Sequence, residues 1–190
     1  MKSFLFAAAL IFTLPAYSSS LFQESEVTLA TLSILQTVET NQAGKVRGLQ
    51  TLKAGDEAEV QLRYQGNDFV VRDSAFDCHF HSHDGALENA HCHQITDAES
   101  TVEIRRDLVF GTTELIESLN QSLDIFQRKI GAVASLVAVK LWQADDEIYV
   151  TLTHQASVNS VVNSHFMCHV HGSHFDCHRS RHAGPQEPQF

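Results

Sequence analysis

The stretch that decides the fold runs from His165 to His178 and reads HFMCHVHGSHFDCH. Gly172-Ser173 is a two-residue turn that suits a tight β-hairpin, and such a turn fixes the register of the two strands. In that register Cys168 lies directly opposite Cys177, at a separation that a disulfide can bridge. Alternate side chains of a strand point to opposite faces, so the same register assigns each remaining residue to one face of the hairpin. The face opposite the cysteines is predicted to carry His165, Met167, His169, His171, His174, Asp176 and His178.

A second stretch, FDCHFHSHDGALENAHCH over residues 76–93, predicts a hairpin with the same division of residues between two faces. Pairing Cys78 with Cys92 predicts a second disulfide and leaves Asp84-Gly85-Ala86 as the loop. The histidines and one carboxylate then share the face opposite the cysteines. That face is predicted to carry Asp77, His79, His81, His83, His91 and His93.

The two hairpins end two copies of one unit of roughly 90 residues. At an offset of 90 positions, the second copy repeats the residue types of Glu57, Val60, Leu62, Val71, Ser74, Phe76, Cys78, His79 and His81. We therefore predict a first repeat over residues 19–96 and a second repeat over residues 97–178. Residues 179–190 contain Gly184, Pro185 and Pro188 and are predicted to form a disordered tail.

Each copy starts with an apolar stripe at helical spacing, formed in the second copy by Leu115, Leu119, Leu123 and Phe126. Strand patterns follow, in which apolar and polar residues alternate on both sides of a short turn. A helix laid across such a sheet buries the apolar faces of both. The sequence thus predicts an α+β fold of two tandem repeats, each with one helix packed on a four-stranded antiparallel sheet.

The first 18 residues have the features of a secretory signal peptide. Lys2 gives a positive start, an apolar run follows from Phe4 to Leu14, and Ala16-Tyr17-Ser18 offers small residues for cleavage. The apolar run is too short for a permanent membrane anchor, so we expect a secreted or periplasmic protein. In such an oxidising compartment the four cysteines are expected to form two disulfides.

The charge of the chain limits its partners. After cleavage it would keep 12 basic residues against 23 acidic ones, a formal charge of −11 with histidine neutral. No basic run is longer than Arg105-Arg106, which argues against nucleic acid and anionic membranes as partners. An acidic surface instead attracts cations.

Eleven of the twelve histidines lie in or next to the two hairpins. Neutral imidazole is a common protein ligand of zinc, copper and nickel. A His-x-His pair on one strand, with a third histidine on the neighbouring strand, can place three ring nitrogens around one ion. We therefore predict that the chain binds or buffers zinc or copper, with the histidines of both hairpin faces as ligands. Asp77 and Asp176 are expected to act as ligands or to orient a ring, and the sulfur of Met167 favours copper(I).

Other readings fit parts of the same pattern. The histidines could form only a polar outer face, or act as a pH switch because crowded imidazoles charge at about pH 6 and repel. Reduced cysteines could bind zinc together with neighbouring histidines. A three-histidine site with an open position could also serve a metal-dependent hydrolase, but no clear general base or nucleophile motif accompanies it. The chain is therefore expected not to be an enzyme.

One histidine, His154, continues an apolar strand face and is predicted to lie in the core.

The order of helix, strand, turn, strand and cysteine-closed hairpin resembles the cystatin fold. Gln50-Thr51-Leu52-Lys53-Ala54-Gly55, with the alternating strand that follows it, is similar to the Gln-x-Val-x-Gly hairpin of cystatins. Duplicated units with a disulfide after that strand also resemble the fetuin and histidine-rich glycoprotein branch of the family. The resemblance implies inhibition of a cysteine protease or binding of another protein, with Gln50 and Gly55 in the inhibitory loop.

Overall fold

The computed structural model describes residues 24–41, 43–84, 86–100, 108–171 and 174–184, and for His171 the backbone only. The predicted signal peptide, residues 1–18, lies outside these ranges, as do Gly85 and the Gly172-Ser173 turn. Within these ranges neither helix is long and apolar enough to cross a lipid bilayer.

In the described part of the chain, each of two helices is followed by four strands. The first helix, α1, spans Glu26–Thr40, and its strands are β1 (Gly44–Ala54), β2 (Glu57–Gly66), β3 (Val71–His83) and β4 (Ala86–Glu99). The second helix, α2, spans Thr112–Lys129, and a 3₁₀ turn at Val133–Ser135 leads to β5 (Leu136–Ala144), β6 (Glu147–Ser157), β7 (Ser160–His171) and β8 (His174–Ser180). Arg179 and Ser180 therefore belong to the sheet and not to the predicted tail.

The eight strands form one antiparallel sheet in the order β4-β3-β2-β1-β5-β6-β7-β8. The predicted fold of two tandem repeats, each with its own four-stranded sheet, is therefore wrong. The two runs of strands are joined where β1 pairs with β5, from Gly48 opposite Trp142 to Leu52 opposite Ala138. Two separate sheets would each leave a long edge strand with unpaired backbone N–H and C=O groups, and the pairing of β1 with β5 satisfies these groups.

Both helices cover the same face of this sheet and share one hydrophobic core with it. Helix α1 buries Ile34 and Leu35 there, and α2 buries Leu119 and Phe126, each no more than 1% exposed. Removing a side chain of this size from water contributes about 1.5–3 kcal/mol to folding. The strands supply the other side of the core with Val46, Leu49, Val60, Leu62, Val139, Leu141, Ile148, Val150, Leu152 and Phe166.

The sheet face opposite the helices is called the histidine face below. It is formed by the alternate strand residues that point away from the core. Its histidines with described side chains are His79, His81, His83, His91, His93, His165, His169, His174 and His178. Gln50 lies opposite Lys140 near the centre of this face, whereas the histidines gather towards its two edges, on β3–β4 and on β7–β8.

Candidate functional site

Both predicted disulfides are confirmed. Cys78 is bonded to Cys92 and Cys168 to Cys177, so all four cysteines of the sequence are paired within their hairpins. The sulfurs lie on the helix side of the sheet, where the Sγ atom of Cys177 is 3.7 Å from the carbonyl oxygen of Ser118 in α2. Two closed disulfides fit a protein that is exported from the cytoplasm.

The predicted register of both hairpins is confirmed around the cysteines. The observed cross-strand pairs include Cys78–Cys92, His79–His91, His81–Asn89, Asp77–His93, Cys168–Cys177, His169–Asp176, Val170–Phe175 and Met167–His178. In each hairpin the histidines whose side chains are described therefore lie on the face opposite the disulfide.

The tip of the first hairpin differs from the prediction. The register shifts by one residue beyond His81, so that His83 pairs with Ala86. The loop is two residues long instead of three, and Glu88 is accommodated as a β-bulge. Asp84 has a φ of 52°, in the left-handed region that a two-residue Asp-Gly turn requires.

Three imidazoles and a carboxylate gather at the β3–β4 edge of the histidine face. We call this group, His79, His91, His93 and Glu57, the first cluster. The ring centroids of His91 and His93 are 4.5 Å apart, and those of His79 and His93 are 6.0 Å apart. The Nδ1 atom of His79 lies 3.0 Å from Oε1 of Glu57. This contact orients the ring and leaves Nε2 of His79 as the nitrogen for a further ligand.

A second group lies at the β7–β8 edge, and we call His165, Met167, His169 and His178 the second cluster. The ring centroids of His169 and His178 are 5.1 Å apart, and the rings meet at 76°. Met167 lies directly opposite His178 and is partly buried. The Nδ1 atom of His165 lies 2.9 Å from Oγ1 of Thr151.

In the arrangement described, neither cluster is a closed metal site. Among the residues that the structure describes, no three His, Cys, Asp or Glu side chains converge closely enough to hold an ion. The clusters are also far from each other. Strands β3 and β7 are five positions apart in the sheet, which is about 24 Å at the usual strand spacing. One ion therefore cannot be shared by the two hairpins.

The remaining predicted ligands lie around these clusters on the same face, His81, His83 and Asp77 beside the first cluster and His174 and Asp176 beside the second. Nδ1 of His83 is 3.1 Å from the carboxylate of Asp84, near the hairpin tip. Only the backbone of His171 is described, where it pairs with His174. The structure thus brings together part of the predicted ligand set at each edge of the sheet.

Glu57 is a site residue that the sequence pattern alone did not reveal. It begins β2 and pairs with His79 across to β3. Glu147 begins β6 and pairs with His169 in the same manner. A signal was present, because both glutamates recur at the 90-residue offset and strand alternation places them on the histidine face. The register between β2 and β3 was the missing information.

An aromatic pair lies on the histidine face beside the second cluster. The rings of Trp142 and Tyr149 are stacked with centroids 5.5 Å apart, and both residues are almost fully buried. Burial, and then the hydrogen bond that the Tyr149 hydroxyl donates to the carboxylate of Glu147, raise the pKa of the phenol. Gly184 packs against the Tyr149 ring so closely that an added Cβ atom would lie 2.1 Å from Cδ1. The segment that follows β8 therefore covers this part of the face.

The two residues of the alternative inhibitory loop do not share a loop. Gln50 lies inside β1, between Gln61 of β2 and Lys140 of β5. Gly55 lies in the exposed turn between β1 and β2, with a φ of 67°. Inhibition of a protease stays a prediction, and so does a metal-dependent hydrolase.

No family model matches the chain, and no curated protein matches it either. A crystal structure of a candidate lipoprotein from Clostridium difficile 630 is 8% identical to it over 84% of this chain and 97% of the other, with a TM-score of 0.35. A TM-score this low shows neither a shared fold nor a shared function.

Proposed function

We propose that this protein is secreted or periplasmic and binds zinc or copper through the two clusters of its histidine face. The spacing of the imidazole pairs carries the proposal. Two imidazoles on one tetrahedral ion, with metal–nitrogen distances of about 2.0–2.1 Å, have ring centroids roughly 5 Å apart. The observed centroid distances are 4.5 Å for His91 and His93 and 5.1 Å for His169 and His178. We therefore expect side-chain rotation alone to point two nitrogens at one ion.

The scaffold behind each pair supports the proposal. A disulfide joins the two strands of each hairpin on the opposite face, which restricts the movement of the strands that carry the rings. Ligands held in place in advance lose less conformational entropy on binding. Glu57 beside His79 supplies the kind of carboxylate partner that commonly orients a metal-binding imidazole.

The degree of exposure indicates how the metal would be used. A structural zinc site is closed by four protein ligands, whereas each cluster offers two or three and leaves the other positions to water. His79 is half exposed, with 50% of its side-chain surface accessible. Open coordination at the surface fits binding and release of metal, so we propose a role in buffering or delivery.

Metal titration of the processed, tag-free protein tests this function. Isothermal titration with Zn²⁺ and with Cu²⁺ is expected to show one ion for each cluster. His79→Ala/His91→Ala/His93→Ala should remove the ion of the first cluster, and His169→Ala/His178→Ala should remove that of the second. His182→Ala is the matched control, because His182 is exposed and belongs to neither cluster.

Two results would contradict the proposal. One is wild-type protein that takes up no metal above the level of a histidine-free reference protein. The other is binding that both cluster variants retain in full while circular dichroism shows an unchanged fold.

A further inference from the structure

Among the positions at which the two clusters differ, one exchanges a carboxylate for a thioether. At the 90-residue offset, Asp77 of the first hairpin corresponds to Met167 of the second. Asp77 lies directly opposite His93, and Met167 lies directly opposite His178. Similar imidazole pairs are thus accompanied by a carboxylate at one edge of the sheet and by a thioether at the other.

We infer that the second cluster is a copper(I) site formed by Met167, His169 and His178, whereas the first cluster takes divalent zinc or copper. The inference rests on the proposed function and adds the selectivity of each cluster. Soft thioether sulfur selects copper(I), whereas carboxylate oxygen suits harder divalent ions. Two imidazoles and one thioether also leave zinc short of the four ligands that it usually takes.

The surroundings of the clusters differ in the same direction. Glu57 places a carboxylate oxygen within 3.0 Å of an imidazole of the first cluster. The corresponding Glu147, directly opposite His169, accepts a hydrogen bond from the hydroxyl of Tyr149, and the ring of Tyr149 lies beside Met167 in the sheet. The carboxylate of Asp176 is exposed, so water screens its charge. A thioether in place of a carboxylate opposite the imidazole favours a singly charged soft ion over a doubly charged one.

The sulfur content of the chain makes this inference directly testable. The sequence has two methionines, Met1 and Met167, and Met1 lies within the predicted signal peptide. All four cysteines are in disulfides on the other face of the sheet. A sulfur ligand detected on copper bound to the processed chain therefore identifies Met167.

The test compares wild-type protein with Met167→Leu, a change that nearly conserves side-chain volume. Copper(I) is titrated without oxygen against bicinchoninate as the competing chelator, and zinc is titrated separately. We expect the variant to lose about tenfold or more in copper(I) affinity and less than about twofold in zinc affinity. Copper K-edge X-ray absorption should show a sulfur ligand in the wild type and none in the variant.

Asp77 provides the matched control. Asp77→Leu should weaken zinc binding at the first cluster and leave copper(I) affinity unchanged. Asp77→Met should add a second copper(I) equivalent with sulfur coordination, because it places a thioether beside the imidazoles of the first cluster.

The outcomes separate this inference from the proposed function. Nitrogen-only coordination of copper(I) in the wild type, or unchanged copper(I) affinity in Met167→Leu, overturns the inference while zinc binding keeps the proposed function. Failure of the wild type to bind either metal overturns both. The absorption measurement on the wild type decides the matter even if Met167→Leu does not fold.

Discussion

Arg63 is a nearly buried charge on the histidine face. Its guanidinium donates two hydrogen bonds to the carboxylate of Asp73, at 2.6 and 2.9 Å, and its side chain is only 10% exposed. Burial opposes ionisation of Asp73, but the hydrogen bonds from Arg63 and Ser100 and the charge of Arg63 together outweigh it and lower the pKa of the carboxyl. A lowered pKa in the folded state stabilises the fold above the ordinary carboxyl range, and this contribution is lost as acid protonates the group.

We therefore predict that Asp73→Asn lowers the free energy of unfolding by about 2 kcal/mol at pH 7, because a buried guanidinium loses its charged partner. The difference from wild type should shrink below about pH 4, where the unfolded carboxyl takes up its proton. Urea unfolding at pH 7 and at pH 3 measures both effects. Asp68→Asn is the matched control, because Arg72 in its pair with Asp68 is 25% exposed against 10% for Arg63, so water screens that pair more strongly. Equal losses in the two variants would contradict the prediction.

His154 lies in the core, as its place on an apolar strand face predicted. It is 8% exposed, and its ring meets that of Phe126 at a centroid distance of 5.0 Å. Its Nδ1 atom is buried and has no hydrogen-bond partner among the described residues. Strand alternation predicts which face a side chain occupies, but it contains no information about hydrogen-bond partners.

A buried polar atom without a partner costs free energy, so we predict that His154→Leu raises the free energy of unfolding by about 1 kcal/mol. Thermal unfolding followed by circular dichroism measures the change. His182→Leu, at an exposed position, should have little effect. Loss of stability in His154→Leu would show that an ordered water or another group satisfies the ring.

At the scale of elements, the hairpins were predictable because independent constraints agree on one register. In the second hairpin a two-residue turn and a cysteine pair require the same alignment of β7 with β8. In the first hairpin the cysteines fixed the middle, but the bulge at Glu88 changed the tip. An Asp-Gly turn fits both a two-residue and a three-residue loop, so the local pattern could not place the bulge.

In the candidate site, too, some features follow from the local sequence and others depend on how neighbouring strands are aligned. Its imidazoles follow from alternation within β3, β4, β7 and β8, which the local sequence contains. The contact between Glu57 and His79 depends on how β2 is aligned with β3, and no turn of two residues or paired cysteine marks that alignment.

Each disulfide is expected to support its own hairpin and not the other one. We predict that Cys168→Ala/Cys177→Ala lowers the free energy of unfolding by about 3 kcal/mol, because the unfolded chain gains the freedom of an open loop. Copper(I) bound at the second cluster should weaken, while the first cluster keeps its zinc. Cys78→Ala/Cys92→Ala should give the reverse pattern. Urea unfolding measures the change in stability, and titrations with zinc and with copper(I) measure the change in binding; loss of both ions in one variant would contradict this independence.

At the scale of the whole molecule, one pairing overturned the predicted architecture. Strands β1 and β5 meet along five residue pairs, the middle one Gln50 opposite Lys140, which are 90 residues apart in the chain. An alternating apolar pattern is the same for a strand at the edge of a sheet and for one in its middle. The pattern therefore predicted the strands and their buried faces, but it could not show that two strand runs join.

A shared core should make the molecule unfold in one step. We predict that Leu62→Ala, in β2, costs about 3 kcal/mol and lowers the unfolding midpoint reported by Trp142, in β5, as much as that reported by circular dichroism. The reason is that Leu62 lies in the same core cluster as the residues of α2. Fluorescence and circular dichroism of one urea series measure both midpoints. A Trp142 midpoint that stays at the wild-type value would show that the two strand runs unfold separately.

The sheet lies between the disulfides, which are on its helix side, and the imidazoles, which are on its histidine face. Cys168 and Cys177 are 0% and 6% exposed beneath α2, whereas the neighbouring imidazoles point the other way. Exchange of a disulfide requires access to its sulfur. At the proposed copper site, a small reductant such as ascorbate is therefore expected to reach the metal while the Cys168–Cys177 disulfide behind it stays closed.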